Sequence, residues 1–245
     1  MMIATNPPIL WHGLEFETDD ADVYAPKPAS FLLAEHASKL VRPGERVLDA
    51  CTGSGVVGIA VAKSVSGASV VVADINESAL AAARRNAERN GVAVEVVYSS
   101  LYDRFADGEF DVITVHPPAV PYPDGGDWGL SQGMRVATHG GDDGSALVIR
   151  SIAESRRALK PGGRFLLLLP HWSHVKKAWS SLLKHYIDVT ELARKQVEFF
   201  PVTEGKPDAA LLRHVKKLAA AGDIDMTFEN EVPLSIVSVV QGFAS

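Results

Sequence analysis

Three things are scarce in this 245-residue chain. Cysteine occurs once, as Cys51, which excludes an intramolecular disulfide and fits a reducing compartment. Long apolar runs are missing: the longest clean one, "FLLLLP" from Phe165, is far too short to span a bilayer. The start, "MMIATNPPILWHG", has no basic segment leading into an apolar one, so no secretory signal is visible. An excess of positive charge is missing as well. Lys and Arg total 24 against 30 Asp and Glu, a net charge of -6, which argues against a broad nucleic-acid or anionic-membrane surface. There are no internal repeats and no low-complexity tract. A cytoplasmic globular protein is expected, with its oligomeric state open.

What is present is an alternation of short apolar runs and helical periods. "RVLDA" (Arg46–Ala50), "SVVVADI" from Ser69, "AVEVVYS" from Ala93, "FDVITV" from Phe110 and "GGRFLLLLP" after Pro161 read as five strands. Between them, Gly55–Val65, "ESALAAARRNAERNG" and "SALVIRSIAESRRALK" read as helices. Near-continuous Val/Ile/Leu strands separated by helices predict a parallel sheet covered on both faces. Past Pro170, "HVKKAWSSLLKHY" and "DAALLRHVKKLAAAG" predict helices, and "VTELARKQVEFF" and "PLSIVSVVQGF" predict strands. Residues 1–28 lack a clear period and form a candidate cover segment, with the main domain over 29–245. The loop over 119–144 is long and rich in Gly, Asp and Pro, the kind that is functional or disordered in compact domains.

"VLDACTGSGVVGIA" joins the first strand to the first helix, and Gly53, Gly55 and Gly58 satisfy G-x-G-x-x-G. Such glycines permit a sharp turn and close approach of a ligand to a helix start. In a doubly wound sheet the ligand crevice lies at the carboxyl ends of the strands. Asp74 ends the second strand, where a carboxylate can accept hydrogen bonds from ribose hydroxyls. A nicotinamide dinucleotide and an adenosyl cofactor both suit these features. Asp49, just before the glycines, opposes a pyrophosphate and suits a sulfonium-bearing ligand. The Pro-Pro turn after "VITVH" and the Pro-Gly-Gly before the fifth strand have no role in the dinucleotide fingerprint. S-adenosylmethionine is therefore the preferred ligand.

Several segments together resemble the class I methyltransferases, and within them the HemK-type protein-(glutamine-N5) methyltransferase family. They are "VYAPKPASFLLAEHA", with Pro26 and Ser30 at matching places, then "VLDACTGSGVVGIA" and "ADINESALAAARRNAERNG". "HPPAVPY" stands where the family has Asn-Pro-Pro-Tyr, and "HGGDDGSALVIRSIAESRRALKPGGRFLLLLP" follows the family's Gly-Gly-x-Asp-Gly order. The resemblance implies a Rossmann-like α/β fold whose seven-stranded, mostly parallel sheet ends in an antiparallel C-terminal edge pair. It implies S-adenosyl-L-methionine as cofactor and S-adenosyl-L-homocysteine as product. Asp49, Cys51, Thr52, Gly53, Gly55, Asp74, Ile75, Ser100, Leu101 and His116 are expected to surround that cofactor.

The departures are specific. Cys51 replaces the first glycine of the loop, Ser100 stands where an acidic residue is common, His116 replaces Asn, and Ala119 replaces the aromatic residue. No sizeable N-terminal substrate domain is expected, and a helical insertion over 205–224 is expected before the last strand. Pro117 and Pro118 hold His116 extended at a strand end. His116 either holds the methyl acceptor, with the further option of removing its proton, or caps the strand. His116 and Pro117 are the expected catalytic pair, with Tyr122 either replacing the lost aromatic or packing the loop. Tyr24, Pro118, Tyr122 and His171 are expected on the substrate side. His171 and His174 also form an i, i+3 pair, but no neighbouring Cys or carboxylate cluster supports a metal. Trp11, Trp128 and Trp172 are candidate pocket walls with core packing the default, and Asp124, Asp127, Asp142 and Asp143 make the long loop acidic. A small-molecule acceptor, methylated at N or O, is the expected substrate, with a protein amide or amine the alternative and nucleic acid third.

Overall fold

A computed structural model describes residues 7–17, 20–123, 129–199, 209–230 and 232–245. Trp128, Asp124 and Asp127, and parts of the 1–28, 119–144 and 205–224 segments, lie outside the described residues. The chain opens with a small hairpin, β1 (Ile9–Trp11) and β2 (Leu14–Phe16), followed by α1 (Pro28–Leu40). Alternation then sets in with β3 (Arg46–Ala50), α2 (Val56–Ser64), β4 (Ser69–Asp74), α3 (Glu77–Arg89), β5 (Glu95–Tyr98) and β6 (Phe110–Val115). After α4 (Gln132–Thr138) come α5 (Ala146–Ala158), β7 (Leu159–Pro170), α6 (Val175–His185) and β8 (Ile187–Glu198). The chain ends with α7 (Ala209–Ala221), β9 (Met226–Glu229) and β10 (Val232–Phe243).

The main sheet runs β5-β4-β3-β6-β7-β10-β8, its first five strands parallel. β10 is antiparallel to both β7 and β8. This is the expected Rossmann-like sheet with an antiparallel edge pair, but it has eight strands rather than seven. The eighth, β9, pairs with Val232–Ser235 of β10, on the side that β7 leaves free once it ends at Pro170. The β1–β2 hairpin forms a separate two-stranded sheet.

The period-2 alternation of strand side chains divides β7 between two cores. Leu166 and Leu168 pack with Leu33, Ile59 and Val72 under α1 and α2. Phe165, Leu167 and Leu169 pack with Val148, Ile152 and Leu182 under α5 and α6. A third cluster joins Leu211, Val215 and Leu218 of α7 to Val120 and Tyr122, so α7 packs over the loop that follows β6.

The N-terminal segment is tied down by side-chain amides of α3 and of its C-cap, Asn90. Asn90 Oδ1 accepts from Glu15 N at 2.9 Å while its Nδ2 donates to Glu15 O at 2.8 Å. Asn86 Oδ1 accepts from Glu17 N at 2.8 Å. Farther along, Asn76 Nδ2 donates to Asp22 O, and Asp22 Oδ1 accepts from Gly133 N of α4. The chain around Asp22 thus bridges α3 and α4 immediately before it reaches Tyr24.

Candidate active site

The loop after β3 turns through Cys51 (φ 54), Gly53 (φ 55) and Gly55 (φ 89), left-handed conformations that cost a glycine little. A Cβ on Gly53 would meet nothing within 4 Å, so its backbone faces open space. A Cβ on Gly58 would lie 2.4 Å from Val72 Cγ1, so that glycine lets α2 press on β4.

Two carboxylates brace this turn from below. Asp49, 2% exposed, accepts from Thr52 Oγ1 at 2.5 Å, Gly58 N at 3.1 Å and Thr114 Oγ1 at 2.8 Å. Burial pushes its pKa up to about 6 against the opposing pull of those bonds. Asp74 Oδ2 accepts from Gly53 N at 2.9 Å and Oδ1 from Asn76 N at 3.0 Å. Burial raises its pKa, and backbone hydrogen bonds oppose the rise. A carboxylate has about four lone-pair sites, so each Asp74 oxygen retains capacity for a ligand hydroxyl. Ile75 follows with 45% of its surface exposed, an apolar plate beside the turn.

β6 delivers His116 to the same crevice. Its ring meets Tyr24 edge-on, centroids 6.4 Å apart, and Nδ1 lies 3.5 Å from Ser30 Oγ. Ser30 Oγ already accepts from Lys27 N at 3.4 Å, and a hydroxyl has a second lone pair. With Nδ1 protonated and donating to that lone pair, Nε2 is left as an acceptor. Burial lowers the His116 pKa to about 4, so the ring is neutral at pH 7. Among the described residues, none donates a hydrogen bond to the adjacent Pro117 carbonyl. The Tyr24 phenol stays protonated, its pKa pushed up to about 12 by burial.

A cavity of about 450 Å³ lies over the glycine turn. Asp49, Cys51, Thr52, Gly53, Asp74, Ile75, Ser100, Leu101 and His116 all line it, with Tyr24, Pro117 and Pro118 on the same wall. A second cavity of about 300 Å³ opens between the start of α1 and the end of β8. Both are lined by Tyr24, His116, Val120 and Trp172.

Three expected site residues lie elsewhere. Gly55 turns inward, where a Cβ would sit 2.8 Å from Ile59 Cδ1. Tyr122 is buried in the third cluster and stacks on His139, 5.6 Å between centroids, because the chain folds back as Tyr122 N donates to Val120 O. His171 is sealed beneath β10, with Nε2 2.9 Å from Ser238 Oγ and Nδ1 3.0 Å from Asp225 Oδ2. Trp11 stacks on Phe31 away from both cavities, whereas Trp172 is a wall of each. The acidic residues described in the long loop act as staples: Asp143 pairs with Lys177 at 2.5 Å, and Asp142 lies 3.6 Å from His214. Among the described residues, no group of three or more His, Cys, Asp or Glu is placed to hold a metal ion, and no helix is long and apolar enough to cross a membrane. Ser30, matched to the family only by position in the sequence, and Trp172, expected by default in the core, both prove to be wall residues.

Sheet order, glycine turn and paired carboxylates define the Rossmann-like architecture of class I methyltransferases. The Mtq2–Trm112 complex of E. cuniculi shares that fold, with TM-score 0.59 and 19% identity over 91% of this chain and 99% of that one. The methyltransferase small domain family matches residues 18–122. A release factor glutamine methyltransferase of Gloeobacter violaceus is 33% identical over 162 residues, covering 62% of this chain and 56% of that protein. The chain therefore spans little more than half the length of that relative. A Methanocaldococcus jannaschii protein, provisionally named a protein N5-glutamine methyltransferase, is 31% identical over 178 residues, covering 73% of this chain and 87% of the relative. The chain belongs to the HemK-type methyltransferase family.

Proposed function

We propose that the chain transfers a methyl group from S-adenosylmethionine to a nitrogen of a protein side chain, an amide or an amine. The observation that carries this reading is the position of His116 on the wall shared by the glycine-turn cavity and the second cavity, with Pro117 next to it on the wall of the first. The residues fit the cofactor: Gly53 leaves room for it, Asp74 has lone pairs for a ribose, and Ile75 offers an apolar face for a base. When bound, that cofactor supplies an electrophilic methyl on sulfur.

The chain's own work is to aim the nucleophile. Neutral His116 provides one acceptor and the Pro117 carbonyl a second, enough to hold the two N–H bonds of an amide or amine. Good alignment contributes about 7–11 kcal/mol, whereas proton transfer by a side chain contributes about 10²–10⁴-fold, or roughly 3–5 kcal/mol. An imidazole with pKa about 4 is a weak base at pH 7, which places its main effect in positioning.

The named relatives support a protein acceptor better than the small molecule expected from the sequence. The second cavity agrees in size: about 300 Å³ is the lower end of the roughly 300–1,000 Å³ range of ligand pockets, and suits a side chain better than a whole metabolite. The test is incubation with methyl-labelled cofactor and a peptide library containing Gln, Asn and Lys, mixed with a small-metabolite extract, with the label located by mass spectrometry. Label on a side-chain nitrogen is expected. Label confined to small molecules would overturn the protein acceptor. Tight cofactor binding with no transfer to any acceptor would replace the enzyme reading with a binding protein.

A further inference from the structure

We infer that the segment carrying the methyl acceptor is acidic, and that Lys27 and Lys195 at the second cavity hold its carboxylates. This rests on the proposed transfer at His116 and adds the character of the peptide that brings the nitrogen there.

The second cavity has His116 on its wall together with Pro28, Trp172, Val197 and Phe199. These side chains suit the aliphatic stem of a substrate residue. Lys27 comes from the start of α1 and Lys195 from the end of β8, and both are exposed, so they form its outer rim. Among the described residues neither ammonium meets a carboxylate, as is also true of Lys63, Lys176, Lys184, Lys216 and Lys217. What sets Lys27 and Lys195 apart is that two separate elements bring them to one opening.

Lys27 is also the N-cap of α1, whose first turn has no acidic residue. The positive end of the helix dipole disfavours a cation there, so helix and side chain together make an uncompensated positive field. Glu198 is the one carboxylate on this wall, against two lysines, and Gln196 adds a neutral donor. The rim is therefore complementary to an anion, and a carboxylate flanking the target residue supplies it.

The test uses the full chain saturated with S-adenosylhomocysteine and fluorescein-labelled peptides with a central Gln flanked by Glu, Ser or Lys. Anisotropy at low salt reads the affinity. The Glu-flanked peptide should bind most tightly. In the K27E/K195E double variant that affinity should fall roughly tenfold, as expected for reversing two rim charges, while the Lys-flanked peptide gains. Both lysines are exposed, and unchanged cofactor affinity by calorimetry verifies the fold. Equal binding of Glu- and Lys-flanked peptides overturns the inference, as does a Glu preference that survives the double variant. The two readings fail separately. A charge preference without methyl transfer to any peptide would leave the acidic-segment inference standing and remove the proposed reaction. Transfer to a Lys-flanked peptide in preference would do the reverse.

Discussion

In the proposed reaction the charge of His116 decides whether an amine or amide nitrogen can be held beside it, because a protonated imidazole accepts nothing. Burial lowers its pKa from 6.5 to about 4. At pH 5.5 an ordinary histidine of pKa 6.5 is about 90% protonated, whereas one of pKa 4 is about 3% protonated. Nitrogen-15 histidine spectra of the protein, with His116→Asn identifying the resonance, should show a neutral ring at pH 5.5. The same shift enters stability. A depressed folded-state pKa means that the unfolded chain binds the proton first. The contribution is complete above pH 6.5 and is lost as pH falls towards 4. The gap of about 2.5 units corresponds to ~3 kcal/mol at about 1.4 kcal/mol per unit, an upper bound because the ring faces a cavity that admits water. By pH 5, about 2 kcal/mol of it should be gone. Urea unfolding of wild type and His116→Asn at pH 7 and pH 5 isolates the effect, since titrations common to both cancel. The wild type's stability relative to the variant should drop by that amount. A resonance titrating near pH 6.5 with a pH-independent stability difference would refute the neutral-acceptor argument.

Other outcomes follow from single contacts. Asp74→Ala removes the acceptor of the Gly53 N–H bond and the proposed ribose partner. Cofactor affinity by calorimetry should fall about 10–100-fold, given ~1.5–3 kcal/mol for a charged hydrogen bond. Gly58→Ala puts a methyl 2.4 Å from Val72 Cγ1 and should cost about 1–3 kcal/mol in chemical denaturation, the usual range for overpacking. His171→Ala leaves Ser238 without its imidazole partner. It should cost about 1–3 kcal/mol of stability while cofactor affinity stays at the wild-type value; a loss of affinity would return His171 to the site.

The parallel half of the sheet was legible because β3, β4, β6 and β7 are runs of Val, Ile and Leu that only a doubly covered sheet requires. The glycine turn was legible because its chemistry is local: Asp49 through Gly58 fix its shape within ten residues. Elements that rely on distant partners escaped. β1 and β2 are three residues each and are held by the amides of Asn86 and Asn90. β9 has four residues and exists because β10 outruns β7. Tyr122 and His171 were placed correctly along the chain but not in direction, since closeness to a strand end does not say which way a side chain turns. Trp172 illustrates the converse, an apparent core residue that walls two cavities. Lys27 and Lys195 are 168 positions apart, and nothing in either neighbourhood announces that folding brings them to one rim.

The Asp225–His171–Ser238 run has the spacing of a hydrolase relay. Ser238 and His171 are almost wholly sealed from water, and neither lines either cavity, so no ester can reach the hydroxyl. With Asp225 N donating to His171 O and His171 N to Ile236 O, the same polar line fastens the end of β7 to β10 and to the approach of β9. Placed in an open cleft, three such side chains would be reagents; closed over by a strand, they are a rivet.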